Sequence, residues 1–333
     1  MAANLDRANA ADQRKGGNMK FKGSMTAAVL VAALAAVGCS KSDERSNTMA
    51  QSPESALIKP VSMTSEPSVT LPTNRGLDET AKISGPVSFG DGETAYQAGN
   101  YSEATKIFEQ YTVQKPENAW GHYMLGLSAW KGGDPAKAEK AFDEALRIDP
   151  KHVKSLVNLS RVLIEQKRFD DAIGKLTHAS DIDPKSAEVT RLLGRTYDGQ
   201  GKVDDAVAAY RHAIALDGKD AWSMNNLGLL FLEQGRPNDA IPPLARAVEL
   251  RKDVPVFHNN LGMALEHTGR FQAAAAEYKD ALAANPGYEK AQQNLTRVEA
   301  VKVNAEEPFD LEGTAKRFAD EIQIPVDEAT AGL

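Results

Sequence analysis

A pattern of small and large side chains returns every 34 residues, without insertion or deletion, over about residues 85–304. One small column runs Gly92, Gly126, Ser160, Gly194, Gly228, Gly262. A second runs Ala104, Ala138, Ala172, Ala206, Ala240, Ala274. The large column between repeats of the beat runs Phe108, Phe142, Leu176, Tyr210, Leu244, Tyr278. Self-similarity at a fixed period of this size marks a stack of supersecondary units, because no single unit can bury its apolar face alone. Two helices cross closely only where one lacks a bulky side chain, so small columns beside a large one predict a helix pair per unit.

Within one beat the apolar spacing is helical: Val153, Leu156, Val157, Leu159, Leu163 and Ile164, then Phe169, Ala172, Ile173 and Leu176 after a turn. Glycines Gly99, Gly133, Gly201, Gly235 and Gly269 fit the left-handed residue that closes a helix. Lys167 holds that position in the remaining unit and is expected to be strained. Prolines Pro116, Pro150, Pro184 and Pro286 follow helix ends, while Gly218 and Lys252 break that column. Pro242-Pro243 falls inside an expected helix, where Pro243 removes a backbone hydrogen bond and bends it.

These columns resemble the tetratricopeptide repeat family. The resemblance implies an all-α fold, an α-solenoid that coils as a right-handed superhelix of helix–turn–helix repeats behind a disordered N-terminal tether. Its units are expected at 85–118 (degenerate), 119–152, 153–186, 187–220, 221–254 and 255–288. A polar capping helix follows at 289–304, with Leu295 on the core column. The tail, 305–333, carries Leu311, Ala315, Phe318 and Ile322 on one face of a short amphipathic helix. It is expected to dock on the last repeat, the alternative being a partner.

In this family the first helix of each pair lines a concave groove. Counted from Ala119, Val153, Ala187, Ala221 and Pro255, the sixth position holds Met124, Asn158, Leu192, Asn226 and Asn260, and the fifth adds Asn225 and Asn259. An asparagine amide offers two donors and an acceptor, which suits an extended peptide backbone. The column resembles the asparagine ladder of the repeat superhelix in O-linked N-acetylglucosamine transferase, with Leu192 interrupting it. The opposing reading is that these amides bond neighbouring helices. Lys154, Arg161, Arg191 and Arg195 are expected to place positive charge mid-groove, diluted by Glu188 and Asp198, which favours an acidic or C-terminal peptide. Trp120, Tyr123, Trp130 and Trp222 also fall at groove positions, either as binding hot spots or as plain packing.

Catalytic chemistry is not expected: HExxH, GxSxG and Walker motifs are absent. His122 and His258 share one repeat position and His178 and His212 another, so register rather than metal binding accounts for them, and no cofactor or metal is expected. His267 with Glu266 reads as a solvated helix face. The net charge of −7 becomes −10 without the first 38 residues, an acidity that argues against a nucleic-acid partner. No small-molecule substrate is expected either.

The single cysteine excludes an internal disulfide. Lys20 and Lys22 precede the apolar run Met25–Val37, too short to span a bilayer, which takes about 20 residues. Ala36-Val37-Gly38-Cys39 follows, and resembles a bacterial lipoprotein signal. That resemblance implies lipidation at Cys39, cleavage of the signal segment 1–38, and, with Ser40 next, export to the outer membrane facing the periplasm. A protein secreted to the periplasm or anchored in the inner membrane is the alternative. Met19 begins a more typical signal than Met1. Residues 39–84, rich in Ser, Thr and Pro, read as a disordered linker, averaging roughly 35–40 Å end to end. The arrangement looks like the repeat lipoproteins of pilus and secretion assembly. It implies an envelope-anchored scaffold holding protein partners in its groove, or a brace acting through its convex face or tail.

Overall fold

The computed structural model describes residues 85–301 and 308–322, all within one compact unit running Leu57–Leu333. The signal segment, Cys39 and the linker lie outside the described residues. Every regular element among the described residues is a helix. The first two units are α1 (Phe89–Gln97) with α2 (Tyr101–Gln114), and α3 (Ala119–Lys131) with α4 (Pro135–Ile148). Next come α5 (Val153–Glu165) with α6 (Phe169–Ile182), and α7 (Ala187–Gly199) with α8 (Val203–Leu216). The last two pairs are α9 (Ala221–Glu233) with α10 (Pro237–Leu250), and α11 (Pro255–His267) with α12 (Phe271–Ala284). α13 (Glu289–Glu299) caps the row and stops before the expected residue 304; α14 (Leu311–Ile322) is the tail helix.

The small and large columns meet in space. A Cβ on Gly126 would stand 2.6 Å from the Phe142 ring, and one on Gly262 2.5 Å from Tyr278. Glycine is therefore a packing requirement there, not a conformational one. Unit three solves the same contact with a shorter pair, Ser160 and Leu176, both fully buried. The helix starts also keep the period: Asn118, His152, Ser186 and Asp220, 34 apart, each accept a backbone N–H of the first turn. Lys167 has φ 59°, the one non-glycine with positive φ among the described residues, in the register of the turn glycines.

Each first helix touches the first helix of the following unit, while second helices do not pack on each other to a comparable extent. The first helices thus line the closer, inner side, and the second helices the outer side.

The tail departs from expectation. α14 docks not on the last repeat but on α10, in the fifth unit. Ala315 is buried there, and Leu311, Phe318 and Ile322 pack at the edge of the same core. The reason lies in α10. At one outward register the other second helices carry Glu109, Asp143, Thr177, Arg211 and Lys279, whereas α10 carries Ala245. At that register α10 alone among the described second helices presents no polar side chain to an incoming helix. Its two internal prolines do not break it. They leave the Asp239 carbonyl with no donor three or four residues ahead, since both positions are proline.

Candidate functional site: the inner face and its amides

The first helices bond to one another at a spacing of 35 residues, one more than the repeat. In three places the sixth position of one unit reaches the fifth position of the one before. Asn158 Nδ2 donates to the Tyr123 hydroxyl at 3.4 Å, Asn260 Nδ2 to Asn225 Oδ1 at 3.0 Å, and Asn294 Nδ2 to Asn259 Oδ1 at 2.9 Å. Within a helix the pairs join up, Asn259 Nδ2 to Asn260 Oδ1 at 3.4 Å and Asn225 Nδ2 to Asn226 Oδ1 at 3.3 Å. Arg297 of the capping helix donates to Asn294 Oδ1 at 2.9 Å. One chain of amides therefore runs from α13 through α11 to α9. At its far end Asn226 bonds the buried Tyr210 hydroxyl.

This corrects the reading of Asn225, Asn259 and Asn260 as groove contacts. Asn259 is 0% exposed and Asn260 1%, and Asn225 is also buried. The amides satisfy each other because a buried polar atom without a partner is costly. Asn158 and Asn226 remain half-buried, so part of each amide still faces the inner surface. At the Leu192 interruption the rung is apolar on both sides, Val157 and Leu192, each buried. Asn294 was missed, although counting six from Glu289 reaches it.

The positive groove is also corrected. Arg161 pairs with Glu188 at 2.6 Å, and Arg191 with Asp220 at 2.7 Å, with both partners of the second pair largely buried. Asp220 additionally accepts from the Ser223 hydroxyl and caps α9, so the Arg191 charge is spent on the repeat interface. Arg195 is half-buried and interacts electrostatically with Tyr210. Nearby, Asp198 and Glu233 lie one rung apart, with carboxyl pKa values pushed up by burial to about 6 and about 7. Glu233 keeps substantial surface, so water screens its charge more than that of Asp198.

The aromatic positions diverge. Trp222 stacks edge-on against Phe257 at 4.8 Å and serves packing. Trp130 donates its indole N–H to Glu165 at 2.8 Å. Trp120 is 46% exposed, with the Lys154 ammonium 5.0 Å from its ring centroid and His152 and Tyr123 edge-on to it. Tyr123 lies beneath, with its hydroxyl pKa pushed up to about 12, chiefly by burial. Trp120, Lys154, Asn158 and Tyr123 thus form an aromatic, singly charged notch between units two and three.

Glu266 is not the solvated residue expected. It accepts from the Tyr278 hydroxyl at 2.7 Å and holds Arg297 through two bonds of 2.7 and 2.8 Å, tying the capping helix to the last unit. This pairing raises the Arg297 pKa.

A tetratricopeptide repeat family model matches residues 225–289, and the model of the middle tetratricopeptide-like domain of cilia and flagella-associated protein 70 matches residues 93–240. A tetratricopeptide repeat protein from Parabacteroides merdae is similar with a TM-score of 0.53 at 14% identity, over 62% of this chain and 81% of that one. In the Cut9–Hcn1 hetero-tetramer of the APC/C the TM-score is 0.54 at 18% identity, over 62% of this chain and 41% of that one. MamA from Desulfovibrio magneticus gives a TM-score of 0.45 at 22% identity, over 49% of this chain and 92% of that one. No curated protein sequence matches. At such identities the first two solved structures bear on fold alone.

Proposed function

From the premise that the array is a solenoid of tetratricopeptide type, a protein-binding scaffold, we propose that it takes an extended peptide on its inner face at the notch of Trp120, Tyr123, Lys154 and Asn158. The observation that carries this is Trp120. It is the one aromatic among the exposed large hydrophobics of the described residues, and it is pre-positioned by three neighbours. Rigid, half-exposed aromatics beside a cation are where interface energy concentrates. Neutralisation of Arg161 and Arg191 argues for a ligand of mixed rather than strongly acidic character. No catalytic role is proposed.

The same reading places the array in a bacterial cell envelope, tethered through a lipid on Cys39, as an adaptor in assembly of a pilus or secretion machine. Its support is the sequence pattern around Cys39. The brace reading through the tail is the weaker one, because α14 is occupied on α10.

The experiment selects peptides from a random display library on the full chain, then measures them against Trp120→Ala with Lys154→Ala. Loss of most binding, with the helical content intact, supports the notch. Peptides that bind the double variant as tightly as the parent sink it. Intact mass of membrane-extracted protein, with Cys39→Ser alongside, decides acylation separately.

A further inference from the structure

Among the described residues, His258, Glu277 and Asp280 are the one set of three metal-type ligands whose donor atoms lie within 4.8 Å of one another. His258 is on α11, and Glu277 and Asp280 are one turn apart on α12. His258 and Glu277 are 5% and 6% exposed, while Asp280 opens to solvent.

The repeats supply an internal control. His122 holds the register of His258, four units apart in the count of the beat. Its Nε2 lies 2.9 Å from the Pro116 carbonyl, as His258 Nε2 lies 3.0 Å from the Lys252 carbonyl. A carbonyl only accepts, so in both cases Nε2 carries the proton. Register therefore explains the Nε2 bond, and it leaves Nδ1 unexplained. Beside His122 the facing column holds Ala141; its other members before the last unit are Ile107, Lys175, Ala209 and Pro243. Only the last unit puts a carboxylate there, Glu277, with Oε2 2.8 Å from His258 Nδ1.

With Nε2 protonated, the Nδ1 lone pair and a buried carboxylate oxygen face each other. Some cation must lie between them, either a proton or a metal ion. A histidine that donates its other N–H to a backbone carbonyl is the arrangement that orients a metal ligand. We propose that His258 Nδ1, Glu277 and Asp280 form a divalent transition-metal site, with zinc the best fit. One imidazole with two carboxylates suits zinc, which takes three protein ligands and a water in four-fold geometry. A buried nitrogen donor disfavours magnesium and calcium, which prefer all-oxygen shells. Metal–ligand bonds of about 2.0–2.2 Å at a tetrahedral angle separate two donors by about 3.3–3.6 Å, so His258 Nδ1 and Glu277 Oε2 part slightly from 2.8 Å while the solvent-exposed Asp280 carboxylate, within 4.8 Å of them, swings inward. The site would staple α11 to α12 in the unit that receives the capping helix.

The test titrates tag-free full-length protein with Zn²⁺ by calorimetry. The parent and His122→Gln are expected to bind one ion per chain, with a rise in unfolding temperature that a chelator reverses. His258→Gln and Glu277→Gln should weaken binding by about 100-fold, and Asp280→Asn by about 10-fold. Because Asp280 is on the surface, its variant keeps the test decisive if the buried variants misfold. Absence of saturable binding at one equivalent overturns the proposal. So does binding by Asp280→Asn equal to that of the parent, leaving the trio an ion pair only.

Discussion

The buried rung between α9 and α11 allows a quantitative test of what holds consecutive units in register. Asn260→Leu would strand Asn225 Oδ1, which loses its 3.0 Å donor, and leave Asn259 Nδ2 with only the Met263 sulfur at 3.5 Å. Each orphaned buried atom costs about 1–3 kcal/mol, so this variant should lose about 2–4 kcal/mol. Asn225→Val strands Asn260 Nδ2 and should lose about 1–3 kcal/mol. The double variant recreates the Val157–Leu192 rung that the protein already uses two units earlier. Removing both partners of a hydrogen bond is far cheaper than removing one. The pair should therefore cost about 1–3 kcal/mol, a coupling of about 3 kcal/mol relative to the sum of the singles. Urea unfolding followed by far-ultraviolet circular dichroism, on all four proteins under one fitting model, measures this. Strictly additive losses would refute the shared amide bond and with it the relay.

Three further outcomes follow from the geometry. Lys167→Gly should stabilise the protein by about 1 kcal/mol in thermal unfolding, since it relieves a side chain held at φ 59°. Asp198 and Glu233 titrate higher in the folded state than their ordinary 3.8 and 4.5, so the folded form holds extra protons between about pH 4 and 7. Their contribution is complete below the ordinary values and is lost as pH rises to about 7, and Asp198→Asn should flatten that slope in unfolding measured from pH 4 to 7. Phe318→Ala should loosen α14, cost about 1–2 kcal/mol, and raise amide exchange in α10 while leaving α4 unchanged.

The fold was legible because its cause is periodic. Gly126 against Phe142 and Gly262 against Tyr278 are contacts between columns, and columns are visible in a single sequence. The Lys167 strain followed from the same register. The amides were misplaced because knowing a helix face does not fix which neighbour a side chain meets. The 35-residue rung depends on the tilt between successive helices, a three-dimensional quantity. Arg191 was misjudged for the same reason, since Asp220 is 29 residues ahead and comes alongside only once the units stack. The docking site of α14 and the partner of His258 were both written as exceptions to a column, Ala245 and Glu277. Attention to what recurs passes over such exceptions.

Phe309, at the start of the tail, receives the Arg270 guanidinium 4.5 Å from its ring centroid, next to α12, and the end of the tail forms one wall of a cleft shared with Arg211 and Ile214 of α8. The strap so made crosses the outer side of units six, five and four. A change in pitch there has to strain these contacts, so the C-terminal half of the coil is expected to resist it. Units one to three carry no such brace among the described residues. The half that holds Trp120 is therefore expected to exchange its backbone amides faster than the strapped half.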